Sequence, residues 1–250
     1  MCQAKSERKG RHGLKPVYAY FLQRLNKFLG KVKLDGREAF VFIPNPGRME
    51  ELLIEGAEVV LIPKNSPNRK TRFDLVGVKH GSTWVSIDSR MPNRFFEDAV
   101  KHSILPDFKG VDVAKSEFRF ASSRFDFLLE DPEHHYLVEV KSCTLVRDGV
   151  AMFPDAPTTR GVRHVRELIE VAKNHGTLKP NSTKRLLAAI VFVIQRDDAE
   201  YFMPNYEMHP EFGEVLKEAY HGGVKVVAYR TRFDPQSLRL IYLDQLPIKF

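Results

Sequence analysis

The rhythm of apolar and polar positions changes once along the chain. From Val17 to about Ser89, short runs rich in β-branched and aromatic residues are broken by Leu34-Asp35-Gly36-Arg37, Ile43-Pro44-Asn45-Pro46-Gly47, Glu55-Gly56 and Ser66-Pro67-Asn68. That spacing predicts the strands of a small antiparallel barrel or sandwich, with no helix among them. Alternation along the third run puts Phe40 and Phe42 in the core. Residues 1–13 are mostly polar and are expected to be a disordered basic tail.

After Met91-Pro92-Asn93 the period lengthens. Asn93 can cap a helix from Arg94 to about His102, with Phe95, Phe96, Ala99 and Val100 on one face. A boundary near residue 90 therefore separates a first domain, 14–90, from a second, 91–250. Strands are expected at Glu117 to Phe120, Phe125 to Leu129 and Tyr136 to Lys141. A helix then starts at Thr158 or Thr159, repeats Val162, Val165, Ile169 and Ala172, and stops at Asn174-His175-Gly176. Leu186 to Ile194 reads as a fully buried strand, Pro210 to Tyr220 as a helix closed by Gly222-Gly223, and Val224 to Tyr229 as another buried strand. This order means an α/β domain with a mixed sheet.

The stretch from Phe125 to Lys141 carries the most chemistry. Two apolar runs flank a turn centred on Pro132, which predicts a hairpin; a four-residue loop from Asp131 to His134 sets Glu130 opposite His135 and Asp126 opposite Glu139. Alternation then gives one face Asp126, Leu128, Leu137, Glu139 and Lys141, and leaves Phe125, Phe127, Leu129, Tyr136, Val138 and Val140 for the core. Two carboxylates side by side repel, by roughly 1 kcal/mol at 4 Å in water and several-fold more near a protein surface. One acid takes a proton, Lys141 compensates, or a divalent cation sits between them. Hard oxygen ligands suit Mg²⁺ or Mn²⁺ rather than zinc. Glu117, one strand earlier, could add a carboxylate. An isolated Glu-X-Lys is ordinarily a surface ion pair; the opposed Asp126 and the apolar hairpin lift this one above that.

Composition narrows the partners. The chain has 250 residues, 43% of them hydrophobic and 28% charged, which excludes a disordered or membrane-spanning composition. Its longest apolar run, Leu186 to Ile194, is half a bilayer span, and no signal-peptide core precedes residue 30, so a cytoplasmic protein is expected. Cys2 and Cys143 form neither a disulfide framework nor a zinc site. Thirty-nine Lys and Arg against 32 Asp and Glu leave a net charge of +7, which favours polyanions and above all nucleic acid. Lys5, Arg8, Lys9, Arg11 and Lys15 crowd the start, and Lys64, Arg69, Lys70 and Arg72 crowd a second segment. Neither is apolar enough to seek a membrane. No glycine-rich phosphate loop is present. His134 and His135 sit in the hairpin turn, where metal binding is not expected. Asn45, Gly47 and Arg48 form a turn that could meet a phosphate, and Trp84 ranks first among the aromatics for base stacking. On the helix after the hairpin, Arg160, Arg163 and Glu167 share a face with His164 beside them, a pattern that suits phosphate contact.

Glu117, Asp126 and Glu139-Val140-Lys141 followed by a helix resemble the PD-(D/E)XK nuclease superfamily, although Phe125 stands where its pattern has proline. A longer resemblance covers nearly the whole chain. Pro44-Asn45-Pro46-Gly47-Arg48-Met49, Ser123-Arg124-Phe125-Asp126-Phe127, Tyr136-Leu137-Val138-Glu139-Val140-Lys141-Ser142, and Phe153-Pro154-Asp155-Ala156 running into Arg160-Gly161-Val162-Arg163-His164-Val165-Arg166-Glu167-Leu168 resemble the sugar fermentation stimulation protein A (SfsA) family. The resemblance implies an α+β, two-domain chain, an N-terminal OB-fold β-barrel followed by an α/β PD-(D/E)XK nuclease-like domain. It implies DNA as partner, single- or double-stranded; a homodimer is open, and composition gives no membrane partner. By the match Asp126 and Glu139 would bind Mg²⁺ or Mn²⁺, Lys141 would be the catalytic lysine and Glu117 an auxiliary acid of a deoxyribonuclease, endo or exo. Arg48, Lys64, Arg69, Lys70, Arg72, Arg124, Arg160, Arg163 and His164 are the expected DNA contacts. A regulator of sugar metabolism that binds DNA on this scaffold without cutting it is the alternative.

Overall fold

The computed structural model describes residues 15–66, 69–174, 176–178 and 183–250; the expected tail, 1–13, lies outside them. Six strands come first, β1 (Val17–Asn26), β2 (Leu29–Leu34), β3 (Arg37–Phe42), β4 (Glu58–Pro63), β5 (Phe73–His80) and β6 (Thr83–Ser86). They run in the order β3-β2-β1-β4-β5-β6, and β3 also pairs in parallel with β5 through Val41 and Phe42. That extra pairing closes β1 to β5 into a five-stranded barrel, with β6 as an outer strand. Phe21, Val32, Val41, Val59, Leu61 and Leu75 fill it, one residue in two from each strand, as the pleat requires.

Phe40 does not belong to that core. It is 51% exposed, whereas Val41 is fully buried. The run Arg37–Phe42 supports two phases of alternation, and Ala39 and Val41 take the inside, against Phe21 and Val32 of the same core.

The second domain opens with α1 (Met91–Lys101). This helix starts before the expected cap, at Arg90, because Pro92 in the first turn has its φ preset and needs no acceptor. Asn93 is thus inside the helix. There follow β7 (Asp112–Phe120), β8 (Ser123–Glu130), β9 (His134–Cys143), β10 (Leu145–Arg147), β11 (Val150–Phe153), α2 (Thr159–Asn174), β12 (Arg185–Ile194), β13 (Tyr201–Pro204), α3 (Pro210–His221), β14 (Lys225–Asp234) and β15 (Arg239–Gln245). The main sheet has the order β15-β14-β12-β9-β8-β7. Its β9, β12 and β14 are parallel and its outer pairs antiparallel, the mixed sheet that the pattern predicts. β10, β11 and β13 form a small second sheet.

Both faces of the main sheet are buried. Leu128, Leu137, Ile190 and Phe192 pack with Val165, Leu168, Phe212 and Leu216 of α2 and α3. Phe127, Leu129, Val138 and Val191 pack on the other side with Phe95 and Phe96 of α1 and with Val60, Ile62 and Val76 of the barrel. The expectation that only one hairpin face is core is corrected: a sheet layered between helices and a barrel hides both. Among the described residues no helix is long and apolar enough to cross a membrane.

Candidate functional site

The hairpin has the expected register over four pairs, from Glu130 opposite His135 to Phe127 opposite Val138. There the ladder stops. Asp126 and Glu139 do not form the next pair; Oδ2 of Asp126 instead accepts the backbone N–H of Val140 at 2.8 Å, and Oδ1 accepts Nδ2 of Asn93 at 2.7 Å. Asn93 reaches it from the first turn of α1. Sequence reasoning read this asparagine only as a cap, and no local signal ties it to a residue 33 positions later.

Glu139 is 4% exposed. Its Oε1 takes two groups, Lys141 Nζ at 2.5 Å and His164 Nδ1 at 2.6 Å. Arg160 donates from Nε to His164 Nε2 at 3.3 Å, which makes Nε2 the acceptor; Nδ1 stands close to the acid without hydrogen-bond geometry. Oε2 of Glu139 is buried with no hydrogen-bond partner.

The two acids are driven apart electrostatically. Burial and then the neighbouring Glu139 carboxylate push Asp126 up to about 6, against its bonds to Val140 and Asn93 and the charge of Lys141. Burial also raises Glu139, but Lys141 and His164 outweigh it and hold the acid below the usual carboxylate range. One carboxylate is thus held ionised while its neighbour takes up a proton more readily than an ordinary aspartate does.

His164 is the clearest correction on α2. It is 1% exposed, in one stripe with Gly161, Val165 and Leu168, and not beside a solvated face. Its spacing, i, i+3, i+4 and i+7, is the legible signal. Arg163 lies outside, in the wall of a cavity of about 600 Å³ with Phe120, Val162 and Leu186. Glu167 turns to Ser122 Oγ.

Glu117 is held at φ +54° inside β7. The flanking pairs, Ser116 with Phe127 and Phe118 with Phe125, set it opposite Asp126. The left-handed backbone of this residue interrupts the ladder, and its carboxylate points into solvent, 3.6 Å from Arg124 Nη1. The structure therefore does not join Glu117 to the buried pair. Among the described residues no group of three or more His, Cys, Asp and Glu side chains is arranged to hold a metal. Asp126 and Glu139 alone offer hard oxygens, and the orphaned Oε2 is the acceptor that a cation would satisfy.

The remaining cations divide in two. Lys64, Arg69 and Arg90 all approach the buried carboxylate of Asp74, with Lys64 Nζ at 3.7 Å and Arg90 Nη2 at 3.6 Å. Lys64 and Arg69 thereby tie the β4–β5 loop to the barrel. Lys70 and Arg72 are exposed. Arg48 donates its backbone N–H to Asp155 Oδ2 at 3.2 Å, so the Pro-Asn-Pro-Gly-Arg turn docks on the Phe-Pro-Asp-Ala segment of the other domain. A Cβ at Gly47 would stand 2.5 Å from that carboxylate oxygen, which is why glycine is needed there. Arg24, unmarked in the sequence, donates Nη1 to the carbonyl of Gly47 and Nη2 to those of Asn45 and Lys27, bracing the turn. Trp84 is half-buried beneath Tyr18, rings 5.9 Å apart. Cys143 is buried, which pushes its thiol up to about 12.

Known proteins resemble the chain along most of its length. Residues 22–87 match the model described as the SfsA N-terminal OB domain, and residues 90–237 that of the sugar fermentation stimulation protein RE domain. The sugar fermentation stimulation protein homolog of Caldanaerobacter subterraneus subsp. tengcongensis is 43% identical over 209 residues, 84% of this chain and 87% of that one. Its counterpart in Moorella thermoacetica is 43% identical over 227 residues, 90% and 94% of the two chains. The structure of Pyrococcus furiosus SfsA in complex with Ca²⁺ superposes with a TM-score of 0.83 at 32% identity, covering 96% of this chain and 97% of that one. With two matched domains in the same order and relatives above 40% identity, the chain belongs to the sugar fermentation stimulation protein (SfsA) family.

Proposed function

We propose that the protein binds DNA and hydrolyses phosphodiesters at the Asp126–Glu139 pair with Mg²⁺ or Mn²⁺, on a domain of the PD-(D/E)XK nuclease type. The observation that carries this reading is a half-buried Asp126, raised to about 6, beside a buried Glu139 that has an oxygen with no partner. Such a pair is costly for a fold to keep and is repaid by a divalent ion. The Pyrococcus furiosus relative was solved with Ca²⁺, a hard cation with the same taste for carboxylate oxygen.

A divalent ion held by Asp126 and Glu139 supplies the positive charge that polarises a phosphodiester and stabilises the charge of its transition state. The chain does the rest. Lys141, its side chain 13% exposed, sets an ammonium beside Glu139, where it can orient a phosphate oxygen or a water. His164 and Arg160 fix the Glu139 carboxylate from behind, and Asn93 fixes Asp126. Exposed Arg48, Lys70, Arg72, Arg124, Arg160 and Arg163 are the candidate phosphate contacts, giving salt-sensitive, sequence-independent affinity.

The test is cleavage of plasmid and linear DNA in Mg²⁺ or Mn²⁺ by the wild type and by Asp126→Ala. Loss of cutting in the variant is expected, and equal cutting by both would overturn the assignment. One observation favours a second reading, a DNA-binding regulator without turnover: Oε1 of Glu139 is already engaged by Lys141 and His164, which partly neutralises the pair. Salt-dependent DNA binding with no cleavage under either metal would select it.

A further inference from the structure

The outer surface of the barrel is divided. Its β4–β5 side is covered by the second domain, but the outward face of β1, β2 and β3 is bare. On it Tyr20 is 57% exposed, Phe40 51% and Phe28 46%. These are three of the ten large apolar side chains exposed among the described residues; a fourth, Tyr18, stands opposite Val60 and beside Trp84 at the border with the covered side. Phe28 stacks on Phe42 with centroids 6.0 Å apart and planes at 17°.

Cations are interleaved with these rings. Lys33 is opposite Tyr20, and Lys31 is opposite Phe40. Lys31 Nζ stands 5.8 Å from the Phe40 ring and 2.8 Å from Glu38 Oε2, and Arg69 lies 5.5 Å from the Phe42 ring. Along β2, β3 and their turns Lys27, Lys31, Lys33 and Arg37 face only Asp35 and Glu38. Charge complementarity therefore points to a polyanion, and the exposed rings narrow the kind. A duplex hides its base faces in the helical stack and offers phosphate outward, so bare rings gain nothing from it; an unpaired strand offers a π-face at every base. Phe40 and Phe42, two residues apart on one strand, project about 7 Å from each other, a separation that two splayed bases can take.

We propose that this face is a platform for single-stranded DNA, with bases stacked on Tyr20, Phe40 and the Phe28–Phe42 pair and phosphates held by Lys31 and Lys33. The proposal rests on the reading of the protein as DNA-binding and adds to it the strandedness and the surface. It is independent of the acid pair.

The experiment is fluorescence anisotropy of the full chain, without divalent metal, on a labelled oligo-dT of about 15 nucleotides and on a duplex of equal length. Phe40→Ala and Tyr20→Ala are each expected to weaken the single strand roughly tenfold and to change the duplex less than about twofold. Lys33→Gln is expected to lower the log-log salt slope on the single strand by about 0.7, a slope that Phe40→Ala leaves unchanged. Phe40→Trp is expected to retain affinity and to show fluorescence quenched by oligo-dT but not by duplex, over the background of Trp84. Equal losses on both DNAs, or none on the single strand, would overturn the platform while leaving DNA binding itself intact. Absence of binding to any DNA would overturn both. Tighter binding of a matched oligo-rU, or a wild-type dimer that Phe40→Ala converts to monomer with DNA affinity unchanged, would assign the face to RNA or to a second copy instead.

Discussion

The two sides of the barrel are built from the same alternating strands and have opposite exteriors. On β4 and β5 the outward residues Val60, Ile62 and Val76 are at most 1% exposed, packed with Tyr229, Phe233 and Leu240 of the second domain. Thr83 Oγ1 donates to Asp197 at 3.0 Å, and the Ser86 N–H donates to the Gln195 carbonyl at 3.1 Å, which ties the seam at its polar edge. On β1 to β3 the equivalent positions hold Tyr20, Lys31, Lys33 and Phe40 in water. Aliphatic side chains mark the surface that folding covers, while rings and ammonium groups mark the surface that folding leaves bare. The apolar content of an exterior is thus less informative than its type.

The comparison predicts a gradient of mutational cost. The largest effect is expected at the seam: Phe233→Ala should lose about 3–5 kcal/mol of stability in denaturant titration. A loss no larger than that of Phe40→Ala would mean that the seam is not part of the cooperative fold. Next is Gly77→Ala, whose added Cβ would stand 2.4 Å from Cε1 of Phe233 and 2.8 Å from Cγ1 of Val60; overpacking there should cost about 1–3 kcal/mol. Because one ring makes both contacts matter, the double variant should cost less than the sum of the two, and strict additivity in the cycle would exclude direct contact.

Smaller again is the effect expected at the paired acids. Asp126 is raised from 3.8 to about 6 in the fold, so the folded state binds the proton more tightly than the unfolded chain does. Stability contributed by the protonated acid is full below the ordinary value and is lost as pH rises toward about 6. Asp126→Asn removes that loss and should stabilise the metal-free protein at neutral pH by about 1–2 kcal/mol, after allowance for partial exposure. The same variant should abolish divalent-cation binding by calorimetry, and wild-type affinity should weaken below about pH 6 as the proton competes. A melting temperature that does not rise in the variant would argue against repulsion between the acids. The smallest effect belongs to the bare face, where Phe40→Ala should shift stability by no more than about 0.5 kcal/mol; a larger loss would place that ring in the fold.

Much of the second domain was legible from period and turn chemistry. α2, α3, β8, β9 and β12 fall within a few residues of where the pattern sets them, and the hairpin takes the register that Asp131 to His134 dictate. β15 escaped although Leu240 to Leu243 is an apolar run, because four such residues without alternation or a turn signal do not separate a strand from a helical turn. β10, β11 and β13 are three or four residues long, too short for a period to show. Phe40 was misplaced because alternation fixes which residues share a face but not which face is inside. Glu117 was misplaced because its positive φ is a backbone choice that glutamate does not advertise.

The longer strands and helices, the hairpin register and the placing of Asp126, Glu139 and Lys141 on that hairpin were legible in the sequence alone, since period and turn act over a few residues. Only the tertiary structure decided that Asn93 and His164 close on Asp126 and Glu139, that Lys64 and Arg69 are spent on Asp74, and that one side of the barrel is covered while the other is bare. Desolvation and charge pairing belong to a neighbourhood, and distant segments assemble that neighbourhood only when the chain is folded.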